Sequence, residues 1–157
     1  MSERKVITGV VLVTLLFALY LAIYQGQLLM SDERTLFDSA QSLIRRGETN
    51  PTYEFNLTPT VTPDFPWGTA AHEPLPIVVT ALFALIGRVL PEIGMIHTTL
   101  LSNPVITALT ALSLYVVGMR LGYSARNALV VALIFGVATN IAPYTRTLFR
   151  EPLTALF

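Results

Sequence analysis

VITGVVLVTLLFALYLAIY, residues Val6 to Tyr24, runs for nineteen positions without a charged side chain. As a helix rising about 1.5 Å per residue, it approaches the ~30 Å of a bilayer's hydrocarbon core. A secretory signal has a shorter apolar core, of about 7–15 residues, with small residues for cleavage after it. Tyr24-Gln25-Gly26-Gln27 offers no such site. The run is therefore read as an uncleaved span, with Arg4 and Lys5 holding the N-terminus in the cytoplasm.

Composition agrees with that reading. The chain is 53% hydrophobic and 13% charged, where a soluble domain carries about 25% charged residues. Its mean hydropathy is +0.61. An integral protein of the plasma membrane is expected. Ten basic and ten acidic residues give a net charge of zero, so no basic surface points to nucleic acid and no polybasic cluster to anionic lipid. The absence of cysteine excludes disulfides and thiolate metal sites.

Outward from the first span, Gln25 to Pro76 is polar. Within it, Ser31 to Arg46 reads as an amphipathic helix. Ser31 is the expected N-cap, Asp32 and Glu33 fill the first turn, and Arg45-Arg46 fill the last, as the helix dipole favours. Leu36, Phe37, Ala40, Leu43 and Ile44 recur at helical spacing, and Gly47 ends the run. Such a helix is expected to lie flat at the membrane surface. Glu48 to Gly68 reads as loop, with Phe65 and Trp67 as interfacial anchors. Asn56-Leu57-Thr58 matches a glycosylation sequon, a pattern too short to weigh much.

Pro76 to Val89 is apolar over fourteen residues, a length that suits an interfacial or re-entrant helix as well as a span. Ile96 to Met119 is long enough to cross, with a kink expected at Asn103-Pro104 and His97 at the interface. Arg120 to Arg126 is a basic turn, and Ala128 to Ala142 is the next expected span, ended by Pro143. Leu153 to Phe157 opens a further apolar run that no Gly or basic residue closes, so the chain reads as the N-terminal part of something longer.

The distribution of arginine and lysine chooses between the topologies. If Pro76–Val89 crossed, the Arg120/Arg126 turn would fall outside, against the positive-inside rule. If it lies in the interface, that turn joins Arg4 and Lys5 in the cytoplasm. Asp32-Glu33, His72-Glu73 and the Arg146–Glu151 block then share the outer face. The expected fold is all-α: a polytopic transmembrane protein with amphipathic juxtamembrane helices in a first extracytoplasmic loop, residues 25–95.

The order of these features is an N-terminal span, then Asp32-Glu33-Arg34 opening a helix, a Glu73-Pro74 pair opening an apolar helix, a basic turn, and Tyr144-x-Arg146 running on to Glu151. It resembles the N-terminal module of GT-C type membrane glycosyltransferases, in particular the protein O-mannosyltransferases and the lipid A aminoarabinose transferases. The resemblance spans nearly the whole chain through short, degenerate motifs. It implies transfer of a sugar from a polyprenyl-phosphate carrier to an acceptor protein, glycan or lipid at the outer membrane face, with later helices completing the donor groove, so that this stretch alone would be inactive.

On that resemblance, Asp32, with Glu33 beside it, takes the place of the acid that positions or deprotonates the acceptor. Glu151 takes the place of an acid near the reaction centre, after the Tyr144/Arg146 pair. His72 and Glu73 stand where some members bind a divalent metal ion, although His72-Glu73-Pro74-Leu75-Pro76 departs from the family's pattern there. Arg146 and Arg150 suit the donor phosphate, because a guanidinium fork donates two parallel hydrogen bonds.

Each assignment has a plainer reading. Acidic first turns are routine in helices, arginines at helix ends anchor to headgroups, and one His with one Glu is a partial ligand set. No P-loop, Gly-x-Gly-x-x-Gly, His-Glu-x-x-His or nucleophile elbow is present. A transporter or a non-enzymatic membrane scaffold is the alternative from a different class.

Overall fold

The computed structural model describes residues 3–49 and 73–157, and every regular element among them is an α-helix. Phe65, Trp67, His72 and the Asn56 sequon lie outside the described residues. The chain divides into two compact units.

The first unit holds α1 (Glu3–Ala22), most of α5 (Ser102–Arg120), α6 (Ala125–Ala138), α7 (Ile141–Tyr144) and α8 (Glu151–Leu156). On α1, Leu12, Leu16 and Tyr20 recur every four residues and form one buried stripe. They meet Ala108, Ala111 and Tyr115 of α5 and Ala128 and Ala132 of α6. Alanine and glycine at these positions let the helix backbones approach closely. At Gly136 a Cβ would come within 2.9 Å of the Leu16 methyls.

Two tyrosines fix the helix directions. The Tyr115 hydroxyl donates to the Lys5 carbonyl at 3.4 Å, and the buried Tyr20 hydroxyl donates to the Gly136 carbonyl at 2.9 Å. The start of α1 therefore lies against the end of α5, and the end of α1 against the end of α6. α1 and α5 are antiparallel. Arg4, Lys5, Arg120 and Arg126 consequently gather at one end of this unit.

The opposite side of α1 is left apolar and exposed, at Val6, Val10, Val11 and Leu15. Among the described residues, two helical runs are long and apolar enough to cross a membrane, Glu3–Ala22 and the 26-residue run Met95–Arg120. Together they point to membrane association. α3 (Pro74–Val89), at 16 residues, and α6, at 14, are shorter apolar helices.

Two expected spans have different bounds. The Ile96–Met119 run breaks at Leu101, between α4 (Met95–Leu100) and α5, three positions before the expected kink at Pro104. Proline acts on the turn before it: it lacks the N–H that would bond the Leu100 carbonyl, and its ring crowds that carbonyl. The Ala128–Ala142 run ends early, at Ala138. There the Thr139 hydroxyl donates to the Phe135 carbonyl at 2.7 Å and accepts from the Ile141 N–H at 3.3 Å, turning the chain.

The second unit holds α2 (Ser31–Arg46), α3, α4 and the short segment Thr147–Phe149. α3 packs against both α2 and α4. Pro74 opens it, in the first-turn position where a missing N–H does no harm. Gly87 sets the α3–α4 approach: a Cβ there would overlap the Thr98 hydroxyl and lie 2.6 Å from Met95 Cα. The Gln41 amide donates to the Met95 sulfur at 3.4 Å, linking α2 to α4.

α2 has the expected length and ends at Gly47, whose φ of 73° suits glycine. Its other details differ. Met30, not Ser31, is the N-cap, because the capping acceptor is the Glu33 carboxylate reaching back from the third helical position. Burial is not confined to an apolar stripe either. Asp38, Ser39, Gln41 and Ser42 are buried, whereas Leu43 and Ile44 are only half-buried. A helix lying flat on a surface keeps one polar face in water. The middle of α2 does not.

Candidate functional site

The neighbouring acids Asp32 and Glu33 have opposite environments. Successive helix positions point about 100° apart, so the first turn of α2 turns one carboxylate outward and the other inward. Asp32 is exposed and has no hydrogen-bond partner among the described residues. Glu33 is 0% exposed.

Both Glu33 oxygens are engaged. Oε2 accepts the backbone N–H groups of Leu29 at 2.6 Å and Met30 at 2.8 Å, and Oε1 accepts that of Leu148 at 2.8 Å. A buried carboxylate is tolerable when hydrogen bonds replace its water, and three charge-assisted bonds at these lengths do that. Such an acid is held in place and is not presented to an acceptor. Its role is to position. It fixes the strand-like approach to α2 and the backbone of Thr147–Phe149 in one arrangement.

Leu148 lies midway between Arg146 and Arg150 in the chain, and its side chain is buried. Within the second unit, Glu33 thus holds the Thr147–Phe149 segment against the start of α2. In the first unit, the Asn103 amide donates to the Tyr144 carbonyl at 3.4 Å, and the Arg146 N–H donates to the Pro143 carbonyl at 3.2 Å. Arg146 and Tyr144 are half-buried, and Arg150 is exposed. Glu151 is exposed as the first residue of α8, before Pro152.

Glu73 is the exposed N-cap of α3, and His72 falls outside the described residues. Among the described residues no three His, Asp or Glu side chains converge.

Two residues of this region escaped the sequence reading. Asp38 is 2% exposed on α2, and at helical spacing it sits away from the Leu36/Phe37/Ala40 stripe, so its pattern marks it as outward-facing. Asn103, which the sequence marks only as the neighbour of Pro104 at a kink, donates its amide to the Tyr144 carbonyl. Neither role has a local sequence signal. No family model, curated protein or solved structure matches the chain.

Proposed function

We propose that this protein is an integral membrane glycosyltransferase that moves a sugar from a polyprenyl-phosphate carrier to an acceptor at the outer membrane face. The Glu33–Leu148 bond is the observation that carries the reading. It binds one acid of the pair into the framework, leaves Asp32 accessible, and secures the segment between Arg146 and Arg150.

An acceptor hydroxyl is a weak nucleophile, so a carboxylate within hydrogen-bond reach has to take its proton. Asp32 has that role. As the acceptor oxygen bonds to the sugar's anomeric carbon, the bond to the carrier phosphate breaks and the proton passes to Asp32. Arg146 and Arg150 bind the phosphate, whose negative charge grows as it leaves. Tyr144 and Glu151 are secondary polar residues of the same stretch.

The proposed topology has the N-terminus in the cytoplasm, with α3 in the interface. The antiparallel packing of α1 and α5 supports it, because a single intervening crossing would make them parallel. So does the gathering of Arg4, Lys5, Arg120 and Arg126 at one end.

The test is transfer by the complete protein, reconstituted in lipid with polyprenyl-phosphate sugars. Asp32→Asn is expected to lower turnover by about 10²–10⁴-fold at unchanged expression and stability. Turnover that survives the change, or none with any donor in a folded, correctly oriented protein, removes the reading in favour of binding or transport.

A further inference from the structure

We infer that the groove between α1 and α5 holds one acyl chain of an anionic phospholipid, with the Lys5 ammonium on the headgroup phosphate. The groove has a volume of about 370 Å³ and is walled mainly by aliphatic side chains. It lies wholly within the first unit. Gly9 lines it, and a Cβ there would press on the Leu112 methyl at 3.0 Å. Its rim is unfilled apolar surface: Val10 is 60% exposed and Leu109 41%.

Size and charge select the occupant. From Lys5 to Thr14 the groove follows α1 for about 13 Å, close to the ~15 Å depth of one leaflet. That is the reach of a single acyl chain from its headgroup. One end is basic. Lys5 lines the groove itself, and its flexible stem can carry the ammonium to headgroup level. Arg4, Arg120 and Arg126 stand at the same end with one carboxylate, Glu3, so the end keeps a net positive charge, and no acidic residue lies between Glu92 and Glu151. A phosphate diester with a net negative headgroup matches that end better than a zwitterionic one. The inference rests on the membrane insertion of α1 and α5 that the proposed function also requires, and not on sugar transfer.

The experiment is native mass spectrometry of the full chain in detergent, titrated with phosphatidylglycerol and with phosphatidylcholine of the same acyl chains. The parent is expected to hold one phosphatidylglycerol about fivefold more tightly than phosphatidylcholine. Lys5→Gln is expected to erase that preference, and Val10→Trp, at an exposed rim position, to remove the bound lipid whatever its headgroup. Equal binding of the two lipids by the parent, or a preference that survives Lys5→Gln, overturns the inference.

A photoreactive phenylalanine analogue at Val10 identifies the occupant in liposomes. An adduct with phosphatidylglycerol supports the inference. An adduct with another segment of the chain, with a second copy, or with added polyprenyl phosphate in preference to phosphatidylglycerol overturns it. Transfer activity is not a readout, so a failure of the glycosyltransferase reading leaves these outcomes interpretable.

Discussion

The Glu33 carboxylate accepts the backbone N–H of Leu148 at 2.8 Å across 115 positions of sequence. The same side chain caps α2 through Met30. Helix initiation and the placement of a distant loop therefore depend on one buried charge.

Replacing Glu33 by Gln keeps the size but removes the charge and turns one acceptor into a donor facing a backbone N–H. Leaving buried donors unpaired costs about 1–3 kcal/mol each, so the expected loss of folding stability is about 3 kcal/mol. Chemical unfolding of the purified protein measures it. Trypsin cleavage after Arg146 should also quicken as the loop is released. An unchanged midpoint and cleavage pattern would show that the bond contributes nothing. Asp32→Asn, at an exposed position, should leave both unchanged.

Gly87→Ala places a methyl against Met95 Cα and the Thr98 hydroxyl. Backbone atoms cannot yield as a flexible side chain does, so α3 and α4 must separate. The expected penalty is at the upper end of the 1–3 kcal/mol range for overpacking, read as a fall in thermal midpoint. Gly47→Ala, with open space around its Cβ but φ of 73°, should cost less, about 1 kcal/mol.

Tyr20→Phe removes the hydrogen bond to the Gly136 carbonyl and keeps the ring. Interhelical bonds of this kind contribute about 0.6–1.7 kcal/mol in membrane proteins. Gly136→Ala pushes a methyl onto Leu16 and toward the same hydroxyl. It should cost more than Tyr20→Phe alone. Because both changes act on one contact, the double variant should lose less than the sum of the single losses. Full additivity in unfolding experiments would show that the residues do not act together.

Arg146→Gln should weaken donor binding more than it slows the bound complex. Loss of charge-assisted bonds to phosphate is expected to raise KM for the polyprenyl-phosphate sugar roughly 10-fold or more. Steady-state kinetics over a range of donor concentrations separate this from a fall in kcat. Arg146→Lys should recover part of the loss, since it restores the charge without the fork. A KM that is unaffected would take Arg146 out of the donor site.

Helicity was legible in the sequence because it is encoded locally. Uncharged runs, an acidic first turn and a terminal glycine mark α1 and α2, and the bounds of α2 coincide with those read from residues 31–46. The break at Leu101 was legible only in part: Pro104 announces a disruption, but the carbonyl it deprives belongs to the turn before it.

Three matters were decided by tertiary structure alone. Asp32 and Glu33 are neighbours with the same chemistry, and only the packing around α2 makes one accessible and the other a buried anchor. The burial of Asp38, Ser39 and Ser42 contradicts their helical phase, since it depends on what lies against the helix and not on its own pattern. The antiparallel pairing of α1 with α5 rests on contacts more than a hundred residues apart in the chain. Periodicity and capping act over three or four residues, so a sequence by itself determines where helices form. Which faces are buried, and which carboxylate stays free, is set by long-range packing that no local pattern encodes.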